Sequence, residues 1–536
     1  MEERYTDIRL VKVPIEIDNK NQLTFSNKTA QYNYFNSCTH IELEDSSYQR
    51  KDSTVRYPGH IDDLIGYNYC MYKNTSYSNK WFYAFITEMR YINDEMTLIT
   101  IKTDVWQTWF DDIEIKKCFI EREHVNDDTV GLHTIPEQLE TGDYICSGTT
   151  SLYSVNECYI AISCADLPGD MGKGTALQYN GVYSGTETLL FDGAQGATNF
   201  IKACDDDEKD LISAIVSIYL VPTELFTGLT LNWQTPTVNG HTFKYTRIPT
   251  STDAVLMATS GTITSPSTID GYTPKNNKLK VHPYNYFYVT NNVGSDVPFR
   301  YEEFVNNSAS FKTFGSLTPG CSMRTIPLNY KKLSDTNSSS KSFNSGIAVG
   351  KLPICSWNND TYTNWLTSNS VNLGFKAVGG IAGIVGGIGL AASGFGLAAG
   401  AGMIAGGVGL IADSVKEIYN HSLTPDQAQG NTNSGDVTFS SGHLEVKAYK
   451  MTIRAEYAQV IDEFFSMFGY KVNRVKLPNI TGRTNWNYVK TIDCNIHAFI
   501  PQKDAIEIKN MFNSGVTFWH NPSTFLDYSQ TNSIVS

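Results

Sequence analysis

The side chains best suited to acid–base chemistry lie together in Glu121-Arg122-Glu123-His124, where two carboxylates, a guanidinium and an imidazole follow one another. A carboxylate and a histidine act as general acid and base only when both face the same substrate. Strand alternation predicts Glu121 and Glu123 on one side and His124 on the other. We therefore interpret the cluster as a solvated strand edge.

Residues 169–175 (GDMGKGT) resemble a phosphate-binding loop, but they lack the required first-glycine spacing and place Gly174 where Ser or Thr would bind magnesium. The stretch is interpreted as a turn. The HExxH and GxSxG patterns of metalloproteases and serine hydrolases are missing. The sequence therefore predicts no catalytic residue, no cofactor and a protein that is not an enzyme.

The side chains that could bind a metal do not occur at the sequence spacings that metal sites require. The 10 cysteines are scattered, without a CxxC pair or histidines at zinc-ligand distance, and are interpreted as reduced core thiols. The acidic run at residues 205–208 precedes an apolar stretch and is predicted to begin a helix, where carboxylates favour the positive end of the helix dipole. No metal site is predicted.

The elements that would position these residues are mostly strands. The 536 residues contain 12% aromatic and only 18% charged side chains, a balance that favours short half-buried strands. We predict a mainly β protein with minor α, a multi-subdomain body of β-barrels or sandwiches. Its net charge of -13 disfavours tight polyanion binding but is compatible with DNA that slides through a channel without sticking. The first residues lack a secretory signal, so folding in the cytoplasm is expected.

Two local patterns near the start are specific. Alternating residues 81–86 and 97–101, joined through an Asn93-Asp94 turn, predict a hairpin. Thr103-Asp104 is predicted to cap a short helix that carries two tryptophans, Trp106 and Trp109. Near the end, a helix at residues 458–468 is predicted with a broad apolar face. That face comprises Val460, Ile461, Phe464, Phe465 and Phe468.

Composition changes divide the chain. We predict body regions at 1–145 and 439–536, a middle β-rich region at 146–332, and a linker with a return strand at 333–355. Polar arms rich in Ser, Asn, Gly and Gln bracket a hydrophobic loop within residues 356–438.

The core of that loop, residues 377–412, contains no charged side chain, and Ser393 is its only polar one. Glycines recur every four residues on one helical face and branched side chains lie on the other, the pattern of helices that pack closely in lipid. The predicted helix-packing glycines are Gly379, Gly383, Gly387, Gly402 and Gly406. The predicted membrane-inserting side chains are Val378, Ile381, Ile384, Val385, Ile388, Leu390, Phe395, Leu397, Met403, Ile404, Val408, Leu410 and Ile411.

A break near Ser393-Gly394 divides the segment into two arms of about 16 residues, each roughly 24 Å long as helix against a hydrocarbon core of about 30 Å. Each arm falls short of a span, which favours conditional insertion by several copies over a permanent anchor. The alternative to membrane insertion is a purely structural role as a buried pair of core helices, but glycines leave little side-chain volume to fill a core. Aromatic side chains expected at the headgroup level are Trp357, Tyr362, Trp365 and Tyr419.

Seven blocks together resemble the tail knob, or distal tail tube, proteins of small short-tailed phages (podoviruses) of the phi-twenty-nine-like picovirus group. They are WFYAFI at 81–86, TDVWQTW at 103–109, FIEREH at 119–124, TGDY at 141–144, FGYKVN at 468–473, NWNYVKT at 485–491 and FWH at 518–520. The blocks bracket most of the chain, whereas the middle region contributes little.

This resemblance implies a homohexameric tube at the distal tail of the virion, made in the bacterial cytoplasm and joined to other tail proteins. It implies hydrophobic loops that plug the lumen, then enter the host cytoplasmic membrane transiently and form a channel for genome ejection. Phage DNA would pass through the lumen without specific binding.

Two other classes stay open on sequence alone. A bacterial pore-forming toxin would use the same segment as an insertion hairpin, although such proteins usually carry the secretory signal that this N-terminus lacks. A tail-associated adhesin or wall hydrolase would need paired carboxylates, which the chain does not present in a convincing arrangement.

Overall fold

The computed structural model describes residues 6–43, 48–49, 53–74, 80–155, 157–171, 177–179, 182–184, 186–209, 211–247, 257–292, 296–315, 323–328, 330, 347–350, 354–357, 428–430 and 445–535. The chain divides into two compact units. The terminal unit comprises Met1–Gly142, Gly271–Pro283 and Arg454–Ser536, and the central unit comprises Asp143–Asp270 and Tyr284–Ile453.

Strands dominate both units. In chain order they are β1 (Thr6–Val11), β2 (Asn21–Leu23), β3 (His40–Leu43), β4 (Tyr48–Gln49), β5 (Thr54–Tyr57), β6 (Tyr69–Asn74), β7 (Trp81–Asn93), β8 (Met96–Thr103), β9 (Ile113–Ile115), β10 (Cys118–Glu123), β11 (Tyr144–Ser154), β12 (Cys158–Cys164), β13 (Leu177–Tyr179), β14 (Val182–Ser184), β15 (Glu187–Phe191), β16 (Ile215–Pro222), β17 (Thr237–Val238), β18 (His241–Thr242), β19 (Tyr245–Arg247), β20 (Met257–Thr264), β21 (Asn285–Thr290), β22 (Asp296–Phe299), β23 (Ser308–Gly315), β24 (Met323–Pro327), β25 (Ile347–Gly350), β26 (Ile354–Trp357), β27 (Ala428–Gly430), β28 (Glu445–Ile453), β29 (Tyr470–Lys476), β30 (Trp486–Ile492), β31 (Ile496–Ala498) and β32 (Val516–Trp519). The described α-helices are α1 (Lys28–Ser37), α2 (Val105–Trp109), α3 (Ala194–Asp205), α4 (Ala455–Phe468) and α5 (Gln502–Ser514). The predicted mainly β class with minor α is confirmed.

In the terminal unit, a seven-stranded antiparallel sheet has the order β3-β1-β6-β7-β8-β5-β4. Its longest pair is the predicted hairpin, in which β7 and β8 join at Asp94 and Glu95 and Asn93 pairs with Met96. Two bulges let the long strands twist without losing their pairing. The hairpin prediction is confirmed.

A second, five-stranded sheet of the terminal unit joins the two ends of the sequence in the order β2-β32-β30-β10-β29. β2 pairs with β32 in parallel, and β10 lies between β29 and β30. Trp486 and Trp519, both fully buried, pack with ring centroids 5.2 Å apart against a core that also contains Phe35. The N-terminal and C-terminal sequences therefore share one core.

Helix α2 begins where the sequence predicts. Asp104 caps it, because its carboxylate accepts hydrogen bonds from the Trp106 and Gln107 amides at 3.1 Å each. Tyr69 donates to the same carboxylate at 2.9 Å. Burial raises the pKa of Asp104 to about 6. Trp106 is buried, and the indole N–H of the partly buried Trp109 donates to the Asp504 carboxylate at 2.9 Å.

In the central unit, a six-stranded sheet (β19-β15-β12-β16-β26-β27) accompanies two four-stranded sheets (β11-β28-β21-β22 and β20-β23-β24-β25). The core is rich in aromatic rings. Phe191 packs on Phe200 of α3 with centroids 5.1 Å apart, and Phe287 stacks on Phe299 at 5.5 Å.

Three local predictions are wrong. The acidic run at 205–208 begins at the last residue of α3 and not at the start of a helix, because an earlier amphipathic stretch forms that helix from Ala194. Val460 does not belong to the buried face of α4; its side chain is exposed, whereas Asp462 is buried there. Cys146 is exposed and so is not a core thiol.

Candidate functional site

The predicted membrane-active core at residues 377–412 lies outside the described residues. All thirteen predicted membrane-inserting side chains and all five packing glycines fall in that interval. Three of the four predicted interface aromatics, Tyr362, Trp365 and Tyr419, flank the interval and also lie outside the described residues. The fourth, Trp357, is the last residue of β26. Among the described helices, none has both the length and the apolar composition that crossing a bilayer requires.

The structure does place the two points where the chain enters and leaves this segment. β26 precedes residue 358 and β27 follows residue 427, and the two strands pair with each other in antiparallel fashion. Cys355 pairs with Gly430 and Trp357 with Ala428. Antiparallel partners lie about 5 Å apart. Residues 358–427 therefore begin and end at the same place on one sheet.

This strand pair is anchored in the core of the central unit. β26 continues the sheet from β16, with Ile218 opposite Cys355 and Tyr219 opposite Ile354. Both β16 side chains are fully buried. β27 is the edge strand. The base of the segment is thus a short edge hairpin attached to a rigid strand.

The Glu121–His124 cluster is the second candidate, and the prediction of a solvated strand edge is wrong. β10 is an interior strand, and a register shift between Ile120 and Arg122 changes the side-chain alternation. Glu123 and His124 are consequently both buried. Glu123 accepts hydrogen bonds from Lys476 Nζ at 2.5 Å and from the Asn479 amide at 2.9 Å.

His124 is held neutral between two backbone groups. Its Nδ1 accepts from the Tyr488 amide at 2.7 Å, which leaves Nε2 to donate to the Ser466 carbonyl at 3.1 Å. Burial, with Arg483 nearby, lowers the pKa of His124 to about 3. An imidazole with both nitrogens engaged in this way cannot relay a proton to a substrate.

Glu137 organises the neighbouring cations. Its carboxylate, fully buried, bonds to both Arg122 and Lys278 and also accepts from the Lys471 amide at 2.9 Å. Burial lowers the pKa of Lys278, and the adjacent carboxylate of Glu137 opposes that shift. The Arg122 guanidinium also lies over the Phe464 ring. The group is a compensated buried ion network.

Asp462 on α4 holds the chain excursion at residues 271–283. Its carboxylate accepts from the Lys275 amide at 2.7 Å, the Asn276 amide at 3.0 Å and the Tyr272 hydroxyl at 2.7 Å. Helix α4 then ends at Gly469, which has φ +64° and whose added Cβ would collide with the backbone carbonyl of Glu123. Only glycine lets α4 end against β10.

A cavity of about 490 Å³ adjoins these groups. It is lined by His124, Asp128, Asn276, Arg483 and the C-terminal residues 528–534. Asp128 accepts from the Tyr470 hydroxyl at 2.7 Å and from the Asn277 amide at 2.9 Å. Because its polar side chains bond mainly to the protein itself, the cluster is better suited to fixing the fold than to binding a ligand.

Within the described ranges, no group of three or more His, Cys, Asp or Glu side chains is placed to hold a metal ion. The buried network could have been suspected from one signal only. Asp462 interrupts an otherwise apolar helical face, and a carboxylate in that position requires donors from another segment.

Comparisons with known proteins cover most of the chain. Residues 250–533 match the family model of the C-terminal domain of tail knob protein gp9 of Bacillus phage phi29, and residues 4–115 match that of the N-terminus of caudoviral major tail proteins. Tail knob protein gp9 of Bacillus phage PZA is 26% identical, with 96% of each chain covered, and that of Bacillus phage phi29 is 26% identical with the same coverage. The structure of the bacteriophage C1 tail knob protein gp12 superimposes on this structure with a TM-score of 0.62. The superposition covers 99% of this chain and all of the gp12 chain, at 13% sequence identity, and shows that the two proteins share a fold.

Proposed function

The chain belongs to the family of phage tail knob proteins, which are structural components of the tail. From that premise we propose that it is a subunit of a DNA-conducting tube at the distal tail. In this proposal, residues 377–412 of each subunit open a path through the host membrane. The subunits form a homo-oligomer, expected to be a hexamer, joined to other tail proteins. The hydrophobic segments plug the lumen until infection and then enter the cytoplasmic membrane.

One observation carries this proposal. An uncharged segment with 13 glycines, far too apolar for an ordinary surface loop, is bracketed by two strands that pair with each other on the central unit. Because both ends are held together, the two arms on either side of Ser393-Gly394 can enter a bilayer side by side. The body of the protein need not unfold for this to happen.

The energetics favour several copies acting together. Leu, Ile, Phe and Val each contribute about 0.3 to 0.6 kcal/mol to insertion at the centre of a bilayer. The predicted membrane-inserting side chains therefore supply on the order of 5 kcal/mol per copy, a marginal amount for one chain. In a closed ring the segments cover each other before release, as the hydrophobic effect requires, and insert as a group afterwards.

The remaining properties suit a conduit. A net charge of -13 for each subunit keeps DNA from adhering to the walls of a lumen. Residues 1–145 and 439–536 form the tube body in this proposal, and 356–438 form the inserting loop. The protein is made in the bacterial cytoplasm and acts from the virion, and only the loop enters the host membrane.

The test is leakage of an encapsulated dye from liposomes. Full-length protein is compared with a variant in which residues 377–412 are replaced by a Gly-Ser segment of equal length, so that β26 and β27 still close the base. Wild-type protein is expected to release dye and the variant to release at least tenfold less. Equal leakage from both would sink the membrane proposal.

A second measurement tests the tube separately. Electron microscopy of both proteins should show the same ring, because the replaced segment lies outside the body. A monomer at high concentration for wild-type protein would contradict the tube, whatever the leakage assay gives.

A further inference from the structure

Two cysteines of the terminal unit that are far apart in the sequence lie side by side in the fold. Cys118 is the first residue of β10, and Cys494 lies two residues after the end of β30. Their side chains are 5% and 0% exposed, and both are free thiols. Neither belongs to the buried ion network around Glu137, so the pair is a separate feature of the unit.

The strand pairing brings the two cysteines together. β9 pairs with β31 on one side of them, and β10 pairs with β30 on the other. Phe119 lies opposite Ile492, and the Lys116 amide donates to the Asn495 carbonyl at 2.8 Å. Both cysteines lie between these two contacts, where the two chain segments run antiparallel next to each other.

A residue in the left-handed conformation places both thiols on one side of the sheet. Cys118 is buried, whereas its neighbour Phe119 is partly exposed on the opposite face. Ile492 is 55% exposed, and regular alternation would place Cys494 on the same exposed face. Asp493 between them, however, has φ +57°, which breaks the alternation. Cys494 is consequently buried, on the face to which Cys118 also points.

The side chain of Asn513 on α5 fixes this turn. Its oxygen accepts hydrogen bonds from the Cys494 amide at 3.0 Å and from the Thr491 hydroxyl at 2.8 Å. Neighbouring antiparallel strands lie about 5 Å apart. The Cα atoms of disulfide-linked cysteines are about 4.4 to 6.8 Å apart. The two sulfurs can therefore be joined with little movement of the backbone.

The two thiols also contact each other through a hydrogen bond. Burial raises the pKa of both, that of Cys494 to about 12, so both are protonated at neutral pH. Because the thiolate is the form that reacts with an oxidant, oxidation has to wait for local opening and is slow. A second buried pair, Cys164 and Cys204 in the central unit, serves as a control; the Cys164 thiol bonds to the Glu187 carbonyl at 3.7 Å.

We propose that Cys118 and Cys494 form a disulfide once the protein leaves the reducing cytoplasm. A tail component does so in the virion, and disulfides form and persist outside the cytoplasm. The oxidant is a small-molecule disulfide such as glutathione disulfide. One protein thiolate attacks a glutathione sulfur and releases one glutathione, and the second protein thiolate attacks the mixed disulfide and releases the other. The two protein thiols are thus oxidised, and one glutathione disulfide is reduced to two glutathione thiols.

The bond ties β10 to the chain that follows β30, in the sheet that joins both ends of the sequence. The loop that it closes, residues 118–494, contains the whole central unit. A cross-link that closes a long loop restricts the unfolded chain strongly. The terminal unit is therefore expected to gain stability on oxidation. This inference does not depend on the proposed tube or on residues 377–412.

The test compares reduced and oxidised samples of the full chain. All proteins carry Cys146→Ser, because this exposed thiol could join two copies. Folded protein is incubated with glutathione disulfide, its remaining thiols are alkylated in denaturant, and it is digested without reduction for mass spectrometry. A peptide pair joined through Cys118 and Cys494 is expected. Calorimetry should show that the terminal unit unfolds about 5 °C or more higher after oxidation, and a reductant should reverse the shift.

Two variants and a control separate this disulfide from general oxidation. Cys118→Ala and Cys494→Ala should each abolish the linked peptides and the rise in unfolding temperature. Each rise is measured between oxidised and reduced samples of the same variant, so that the loss of a core thiol cancels. The double control, Cys164→Ala with Cys204→Ala, should keep both the linked peptides and the rise.

Three outcomes overturn the proposal. These are two thiols that stay free in folded protein after oxidation, a disulfide that joins either of them to another cysteine, or an equal rise in unfolding temperature in the Cys118→Ala variant. Peptide mapping of the parent protein decides the question even where a variant fails to fold. None of these outcomes bears on liposome leakage or ring formation, so the proposed function is tested separately.

Discussion

The terminal and central units, both built mainly of β-strands, differ in the side chains that they bury and expose. Both units bury many aromatic rings, but the terminal unit also buries a group of charged side chains, whereas the central unit buries few. Among the described residues, the terminal unit buries Asp104, Glu123, His124, Glu137, Lys278 and Asp462, whereas the central unit buries Glu302. Among the described residues, the exposed large hydrophobic side chains also all belong to the terminal unit.

This difference indicates a division of labour. Buried, fully paired polar networks specify one geometry at little net gain in stability. Such networks fix the geometry of the unit in which both ends of the sequence share one sheet. The central unit, whose core contains few charged side chains, carries the paired strands from which residues 358–427 depart.

The largest effect is expected at Glu137. Glu137→Gln leaves Arg122 and Lys278 without their shared buried carboxylate and should lower the unfolding free energy of the terminal unit by about 3 to 5 kcal/mol. Hydrogen exchange with mass spectrometry, read on peptides of each unit, measures it.

The matched control lies in the central unit, where Glu187 pairs with the partly exposed Arg247 at 2.5 Å. Glu187→Gln should cost about 1 kcal/mol or less, because solvent screens this pair. Equal losses in the two variants would remove the distinction between the units.

The next effect concerns Asp462, whose carboxylate holds the chain excursion at residues 271–283. Asp462→Ala leaves the Lys275 and Asn276 amides without their acceptor and should cost about 2 to 4 kcal/mol. Glu463→Ala, at the exposed neighbouring position of α4, should stay within about 0.5 kcal/mol. Urea unfolding measures both. A small loss at Asp462 would mean that water replaces the carboxylate and that the excursion is not held by it.

A pH effect is expected from His124. Its pKa of about 3 in the folded protein lies below the ordinary value of 6.5, so the stability that the neutral ring contributes is present above pH 6.5 and is lost as the pH falls towards 3. Wild-type protein should therefore lose about 2 kcal/mol relative to His124→Gln between pH 6.5 and pH 5.

Taking the difference between the two proteins cancels the opposite contribution of Asp104. The raised pKa of Asp104, about 6, makes folding more favourable as the pH falls from 6 towards 3.8. Urea unfolding at each pH gives the difference. A difference that does not change with pH would show that His124 is not buried as a neutral group.

The smallest effect lies in the central unit, where the Thr313 and Thr325 hydroxyls bond at 2.7 Å in the core. Thr325→Val should cost about 1 kcal/mol, the net value of one buried hydrogen bond. Thr242→Val, which breaks the exposed bond between Thr237 and Thr242, should be near neutral. A loss of several kcal/mol at Thr325 would reveal a polar network as demanding as that of the terminal unit.

Local patterns in the sequence predicted much of the fold. The hairpin of β7 and β8 follows from alternation around a turn, and α2 follows from its capping aspartate. The buried state of Glu123 and His124 did not follow, because a single bulge at residues 120–122 reverses the alternation. The strand pair at the base of residues 358–427 joins positions far apart in sequence, which periodicity cannot reveal. The membrane-active segment itself remains a prediction from composition and resemblance.

The central claim is that lipid contacts residues 377–412 and not the apolar surfaces of the terminal unit. Liposomes that contain a photoactivatable phospholipid test it directly: intact protein is added, illuminated and digested, and crosslinked peptides are identified by mass spectrometry. Crosslinks concentrated in residues 377–412 are predicted, with none at Phe119, Val475 or Ile492, three exposed apolar side chains of the terminal unit. Crosslinks at those three residues, with residues 377–412 unlabelled, would contradict the account.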